Sequence, residues 1–227
     1  MATRRWYIVP CTRNRRAHLD RLRASVTAND PFARVVAVEQ RPGEPVDRGM
    51  LRNIGAIFTG ALNDEVLCFH DVDIVGRDRY PDPCSSSSVL HLYGHSHSLG
   101  GVVLMHAGAF RSLGGYPSRS GWGREDVALQ RMAEGCGLHI DKRKLTHRFA
   151  PGGAFVELHD VTARPLSAHA AKIQFKNSLA RKQREAADAG PVLLRGDLDT
   201  DRPFELLDIK RRGGNFVWLL VSIPACE

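Results

Sequence analysis

The sequence predicts an α/β protein with a mixed, mostly parallel central sheet flanked by helices. Three observations carry that expectation. Short apolar runs alternate with stretches of helical periodicity; Gly, Pro and charged residues fill the connections; and the third apolar run ends in two carboxylates one residue apart, Asp71 and Asp73. Strand, helix, strand is the unit of a parallel sheet, and ligands bind beyond the carboxyl ends of such strands.

Trp6-Tyr7-Ile8-Val9 reads as a first strand closed at Pro10, and the polar Cys11-Thr12-Arg13-Asn14-Arg15-Arg16 as the loop after it. Over residues 17–26, Leu19, Leu22 and Val26 fall at helical spacing. Arg34-Val35-Val36-Ala37-Val38 is a second buried strand, stopped by the turn-rich Arg41-Pro42-Gly43-Glu44-Pro45. Met50, Leu51, Ile54, Ile57, Phe58 and Leu62 then make a helical stripe, and Val66-Leu67-Cys68-Phe69 a third parallel strand. Pro81 and the serines up to Ser88 belong to a loop. Residues 89–93 form a short strand, Gly100-Gly101 leads into a strand over 102–105, and a short helix covers 107–113. Gly121-Trp122-Gly123-Arg124-Glu125-Asp126 opens a helix that Gly135-Cys136-Gly137 stops. Residues 155–160 are apolar and acidic, residues 165–187 a basic helix whose charge is a solvated face, and residues 216–221 a strand. With no internal repeat and no boundary to cut at, residues 1–227 are expected to be one domain.

The bulk numbers exclude several classes. The 227 residues suffice for a substantial core, and 43% hydrophobic with 25% charged residues is ordinary for a soluble protein. A formal net charge of +7 suits anionic ligands. Nucleic acid is not the expected partner, because the basic stretch lacks interleaved aromatics and a nucleic-acid motif. Five scattered cysteines, with no CxxC pair and one always left over, argue for a reducing compartment and against a zinc knuckle. The apolar run at Trp6-Tyr7-Ile8-Val9 is too short for a leader or a membrane span, so a cytoplasmic location is expected.

In an extended segment alternate side chains share a face, so Asp71 and Asp73 are expected to point the same way. Carboxylates so placed repel, and a cation between them with a polyphosphate beyond relieves the cost. A strand end running into an Asp-rich turn is the plainer alternative. Glu157 and His159 share a face by the same alternation, and Asp, Glu and His with open positions suit Mn²⁺ or a similar divalent ion. Glu125 and Asp126 have a structural reason to stand in a helix's first turn, where the dipole favours acids. Trp122 between two glycines offers a mobile stacking platform.

The order of these motifs resembles the β-1,4-galactosyltransferase family, and most of all its xylosylprotein β-1,4-galactosyltransferase branch. The matching residues are Val9-Pro10, Arg13-Asn14-Arg15, His18-Leu19, Arg48, Leu51, Asn53-Ile54-Gly55 and His70-Asp71-Val72-Asp73. They continue with Gly100-Gly101-Val102, Gly121-Trp122-Gly123-Arg124-Glu125-Asp126, Arg131, Gly135, Gly137-Leu138 and Leu158-His159-Asp160. The resemblance implies a GT-A fold and an inverting, Mn²⁺-dependent enzyme that transfers a hexose, usually galactose, from a UDP-sugar to a hydroxyl of a sugar or glycoconjugate acceptor. It implies Asp126 as catalytic base, Asp73 and His159 as metal ligands, and Glu157 as a further ligand where the xylosyl branch has His. It places Pro10, Arg13, Arg15, Arg48, Asp71, Val72, Gly100, Gly101, Trp122, Gly123 and Glu125 around donor and acceptor. The chain departs from the family pattern at Ser120, which replaces a Trp, at Val127, which replaces an acidic residue, and at Ser98-Leu99, where the family has a donor-contacting Tyr. Ser120, Val127 and Glu157 motivate the alternative of a catalytically inactive UDP-sugar-binding protein of the same fold.

Overall fold

The computed structural model describes residues 4–11, 13–44, 46–117, 125–148, 150, 153–158, 204–211 and 215–223. All of them belong to one unit, Met1–Leu158 with Arg195–Glu227; the other, His159–Leu194, lies outside the described residues. The basic helix expected over 165–187 therefore also lies outside them.

The first three strands, β1 (Arg5–Cys11), β2 (Arg34–Gln40) and β3 (Val66–His70), are buried along nearly their whole length. Uninterrupted apolar runs of this kind belong to strands covered on both faces. β1 lies between the other two, parallel to both, with Ile8 opposite Val36 on one side and Phe69 on the other. Helices α1 (Arg16–Asn29) and α2 (Arg48–Thr59) connect them. Alternation along β1 divides the core. Trp6 and Ile8 join the cluster that holds Met50, Leu51 and Ile54 of α2, whereas Tyr7, Val9 and Cys11 join Leu19, Leu22 and Val26 of α1. Gly55 lets α2 settle onto the sheet, since a Cβ there would stand 2.5 Å from Ile8 Cγ2. The helical stripe expected to reach Leu62 ends earlier. Gly60 takes a left-handed cap and leaves Leu62 67% exposed.

Beyond β3 the chain forms β4 (Ile74–Gly76), β5 (Ser88–Gly94), β6 (Val102–His106), α3 (Ala107–Ser112), α4 (Glu125–Gly135), β7 (His139–Asp141), β8 (Thr146–His147) and β9 (Phe155–Glu157). The carboxyl-terminal strands are β10 (Glu205–Arg211) and β11 (Phe216–Ser222). The central sheet runs β10-β11-β2-β1-β3-β6-β5-β7, with β8 added on β5. β11 is parallel to β2, β7 to β5, and the pairings of β6 with β3 and β5 are antiparallel. The sheet is thus mixed and mostly parallel, as expected. β4 and β9 form a separate antiparallel pair that the sequence reading does not anticipate. No helix among the described residues is long and apolar enough to cross a membrane.

Candidate functional site

The extended backbone on which the same-face expectation rested ends at His70. After His70 the chain leaves the strand and turns through Val72 and Asp73 before β4 begins. Asp71 N–H still continues the β3–β6 ladder, donating to Gly101 O at 2.9 Å, and a local turn follows in which Ile74 N–H donates back to Asp71 O at 3.4 Å.

Asp71 meets a protein cation rather than waiting for a bound one. Arg48 Nη2 and Arg52 Nη2, four residues apart on one face of α2, donate to its Oδ1 at 2.5 and 2.8 Å. Both arginines also approach Glu125 Oε1, at 3.4 and 3.5 Å, so two guanidiniums join the Asp71 turn to the first turn of α4. Burial alone would push the Asp71 carboxyl up, but Arg48 and Arg52 outweigh it and hold it below the ordinary range. Arg52 is absent from the sequence-predicted residues. Its signal was the spacing from Arg48 and a charge inside an apolar helix, though neither reveals its partners.

Asp126 stands at the other side of the glycine pair. A Cβ on Gly100 would lie 2.8 Å from Asp126 Oδ2, so a side chain there would displace the carboxylate from this position. Leu99 N–H donates to Asp126 O at 3.0 Å, and Val127 N–H to Asp126 Oδ1 at 2.9 Å. Gly101, at φ +79°, leaves no room for a side chain against Tyr93 O, 2.3 Å from an added Cβ. Asp126, Gly100-Gly101 and the Asp71 turn thus form one continuous rim beyond the carboxyl ends of β1 and β3. Pro10 and the buried Val72 lie at the same end of the sheet. Arg15, in the short 3-10 turn Arg13–Arg15, approaches His18 Nδ1 at 3.3 Å.

His91 supports the rim from below and was singled out by no motif. Its Nε2 lies 3.0 Å from both Tyr93 O and Gly100 O, so Nε2–H donates to one carbonyl of β5 and one of the glycine turn. Burial pushes this imidazole down to about 4, with the Gly100 hydrogen bond opposing. An unfolded His titrates near 6.5, so the unfolded chain binds the extra proton first. The neutral ring's contribution is complete above pH 6.5 and is lost as pH falls toward 4, about 3 kcal/mol in all. His91→Gln keeps a donor without the titration. We expect wild type to lose about 3 kcal/mol more than this variant between pH 7 and pH 4 in urea unfolding. Equal losses would disprove it.

Two segments with candidate metal ligands are brought together. β9 pairs with β4, placing Glu157 opposite Ile74, and Leu158 N–H donates to Asp73 O at 2.8 Å. The Glu157 carboxylate receives the Tyr93 hydroxyl and has Arg148 Nε at 3.7 Å. Asp73 and Glu157 are oxygen donors of the kind Mn²⁺ or Mg²⁺ prefers. Among the described residues no three His, Cys, Asp or Glu side chains cluster as a complete ligand set. His159, Trp122 and Gly123 lie outside the described residues, as does the Arg13 side chain.

No protein-family model matches the chain, and no curated protein sequence does. Solved structures do. The catalytic domain of Drosophila β1,4-galactosyltransferase 7, in complex with xylobiose, is similar over 100% of this chain and 96% of its own, with a TM-score of 0.69 and 18% identity. A point variant of that protein, in complex with manganese, UDP-Gal and xylobiose, gives 0.68 at 18% identity, again over 100% and 96%. A mannosyltransferase from Pyrobaculum calidifontis, in complex with GDP-Man and Mn²⁺, gives 0.54 at 12% identity, over 85% of this chain and 66% of its own. These likenesses, with the mixed sheet described above, show that the chain has the GT-A glycosyltransferase fold.

Proposed function

We propose that residues 1–227 form one glycosyltransferase domain, which transfers a hexose, galactose first among candidates, from a UDP-sugar to a hydroxyl of a sugar or glycoconjugate acceptor. The reaction inverts the anomeric carbon and uses Mn²⁺ or another divalent cation. The observation that carries this reading is the rim that joins Asp126 to the Asp71 turn through Gly100-Gly101. A base beside carboxylates that arginines hold in place, ready to accept from sugar hydroxyls, suits a single displacement on a sugar nucleotide.

Asp126 takes the proton of the acceptor hydroxyl while that oxygen attacks the anomeric carbon. The new C–O bond forms as the bond to the diphosphate oxygen breaks, and UDP leaves with the electron pair. Gly100 gives the carboxylate room. Arg48 and Arg52 hold Asp71 and Glu125 at fixed separation, Asp71 and Glu125 present their outer oxygens to sugar hydroxyls, and Arg13, Arg15, Pro10 and Val72 border the nucleotide. Trp122 and Gly123 cover the reacting pair and exclude water. Asp73, Glu157 and His159 would hold the cation, which supplies neutralisation of charge on the departing diphosphate.

Thermal unfolding with a panel of sugar nucleotides tests this. A ligand that binds only the folded state raises the midpoint, and at a hundredfold excess over Kd a chain of this size gains about 5–10 °C. We expect that gain from a UDP-sugar with Mn²⁺ and a much smaller one in EDTA. No shift with any UDP- or GDP-sugar would end the nucleotide-sugar reading, and equal shifts in both conditions would remove the cation from it.

A further inference from the structure

β1, β2 and β11 are parallel neighbours, so their amino ends share one edge of the sheet. That edge lies a strand's length, about 20 Å, from the rim that carries Asp71 and Asp126. A cavity of about 630 Å³ opens there, and its lining includes Arg4, Arg5, Arg34 and Arg79 against one carboxylate, Asp30.

The floor is internally neutralised. Arg5, 2% exposed, pairs with Asp30 at 3.0 Å and donates to Asp82. The rim is not. Asp30 is shared with Arg79 at 3.6 Å, Arg4 reaches Glu65 at 3.1 Å, and both arginine side chains remain half-exposed. Arg34 makes no ion pair with a described residue; its guanidinium is fixed over the Trp6 ring, 5.1 Å from the centroid. Beside it Phe32 is 86% exposed and presents an apolar ring to the same space.

We propose that this cavity is a second ligand site, for a phosphorylated sugar, separate from the transfer centre. Guanidiniums held by a neighbouring ring or carboxylate keep their geometry and match the oxygens of a phosphate in paired hydrogen bonds. The volume is that of a small organic ligand rather than a bare anion, and an aromatic face is a stacking surface for a sugar ring. The site is distinct from the donor site because it lies at the opposite strand ends.

Isothermal titration of the full chain, with UDP and Mn²⁺ present to fill the transfer centre, tests the assignment with glucose 6-phosphate, inorganic phosphate and glucose. Glucose 6-phosphate is expected to bind most tightly and glucose not measurably. Arg34→Ala and Arg79→Ala should each weaken glucose 6-phosphate at least about tenfold, a loss of one charge-assisted contact. Phe32→Ala should weaken glucose 6-phosphate and leave inorganic phosphate unchanged. Arg79 is half-exposed on a loop, so its variant reports binding even if Arg34→Ala disturbs Trp6. The proposal is overturned if glucose 6-phosphate fails to bind at about 10 mM, if it displaces UDP, if glucose binds equally, or if neither arginine variant changes its affinity.

Discussion

Asp126→Asn is expected to lower the rate of sugar transfer by about 10³-fold, within the range general bases contribute, while leaving UDP affinity within about twofold of wild type. Asparagine is isosteric, so Val127 N–H keeps an acceptor and the approach over Gly100 is preserved. What is lost is a lone pair basic enough to take the acceptor's proton. Gly100→Ala attacks the same carboxylate from outside. Its Cβ would stand 2.8 Å from Asp126 Oδ2 and must push it aside. That variant should therefore lose turnover with the chemistry of Asp126 intact. The assay is transfer from UDP-Gal to a panel of sugar acceptors, beginning with xylobiose, alongside UDP titration. Unchanged transfer in Asp126→Asn would remove Asp126 as base. Wild-type UDP binding without turnover on any acceptor would favour the non-catalytic binding protein instead.

The central strands were legible because their physics is local. Tyr7-Ile8-Val9 and Val35-Val36-Ala37-Val38 are apolar without alternation, as strands covered on both faces must be, and α1 and α2 announce themselves by period. β10 was not legible. Glu205, Asp208, Lys210 and Arg211 interrupt Leu206, Leu207 and Ile209 without a period of two, because this edge strand leaves both faces largely open to solvent. β4, β7, β8 and β9 are two or three residues long, below the length at which alternation can be read.

The site divides along the same line. Residue types were readable: acids after β3, paired glycines before β6, acids opening α4. Their relation was not, because it rests on contacts between distant segments. Asp71 meets Arg48 and Arg52 of α2, Asp126 lies against Gly100, and Asp73 meets Leu158 because β4 finds β9. Local alternation assigned Asp71 and Asp73 to one face because it assumes extended backbone, which the turn closed by Ile74 N–H on Asp71 O interrupts.

Arg52 concentrates that non-local information, and Arg52→Met is expected to destabilise the fold by about 3 kcal/mol. The arginine side chain is 1% exposed, bonds Asp71, approaches Glu125, and places its guanidinium 4.7 Å from the Tyr116 ring centroid. Two arginines and two carboxylates make the cluster neutral. Methionine fills similar volume but leaves one uncompensated negative charge beside the core, and removing one member of a buried ion pair costs about 3–5 kcal/mol. The lower figure applies because Arg48 still holds Asp71 at 2.5 Å and the Asp71 side chain is 21% exposed. The sign with pH follows from the depressed Asp71 carboxyl. Its contribution is present above the unfolded carboxyl range near 4 and is lost as pH falls through its lower folded value. The deficit of Arg52→Met should thus be full at pH 7 and shrink below about pH 4, as protonation removes the unpaired charge. Arg52→Lys, with a charge but no fork to span both carboxylates, should fall between the two. Urea unfolding of the three proteins at pH 7 and at pH 3.5 decides it. A Met variant as stable as wild type, or a deficit that does not change with pH, would mean that Arg52 packs rather than neutralises, and that Arg48 alone sets the charge of the Asp71 turn.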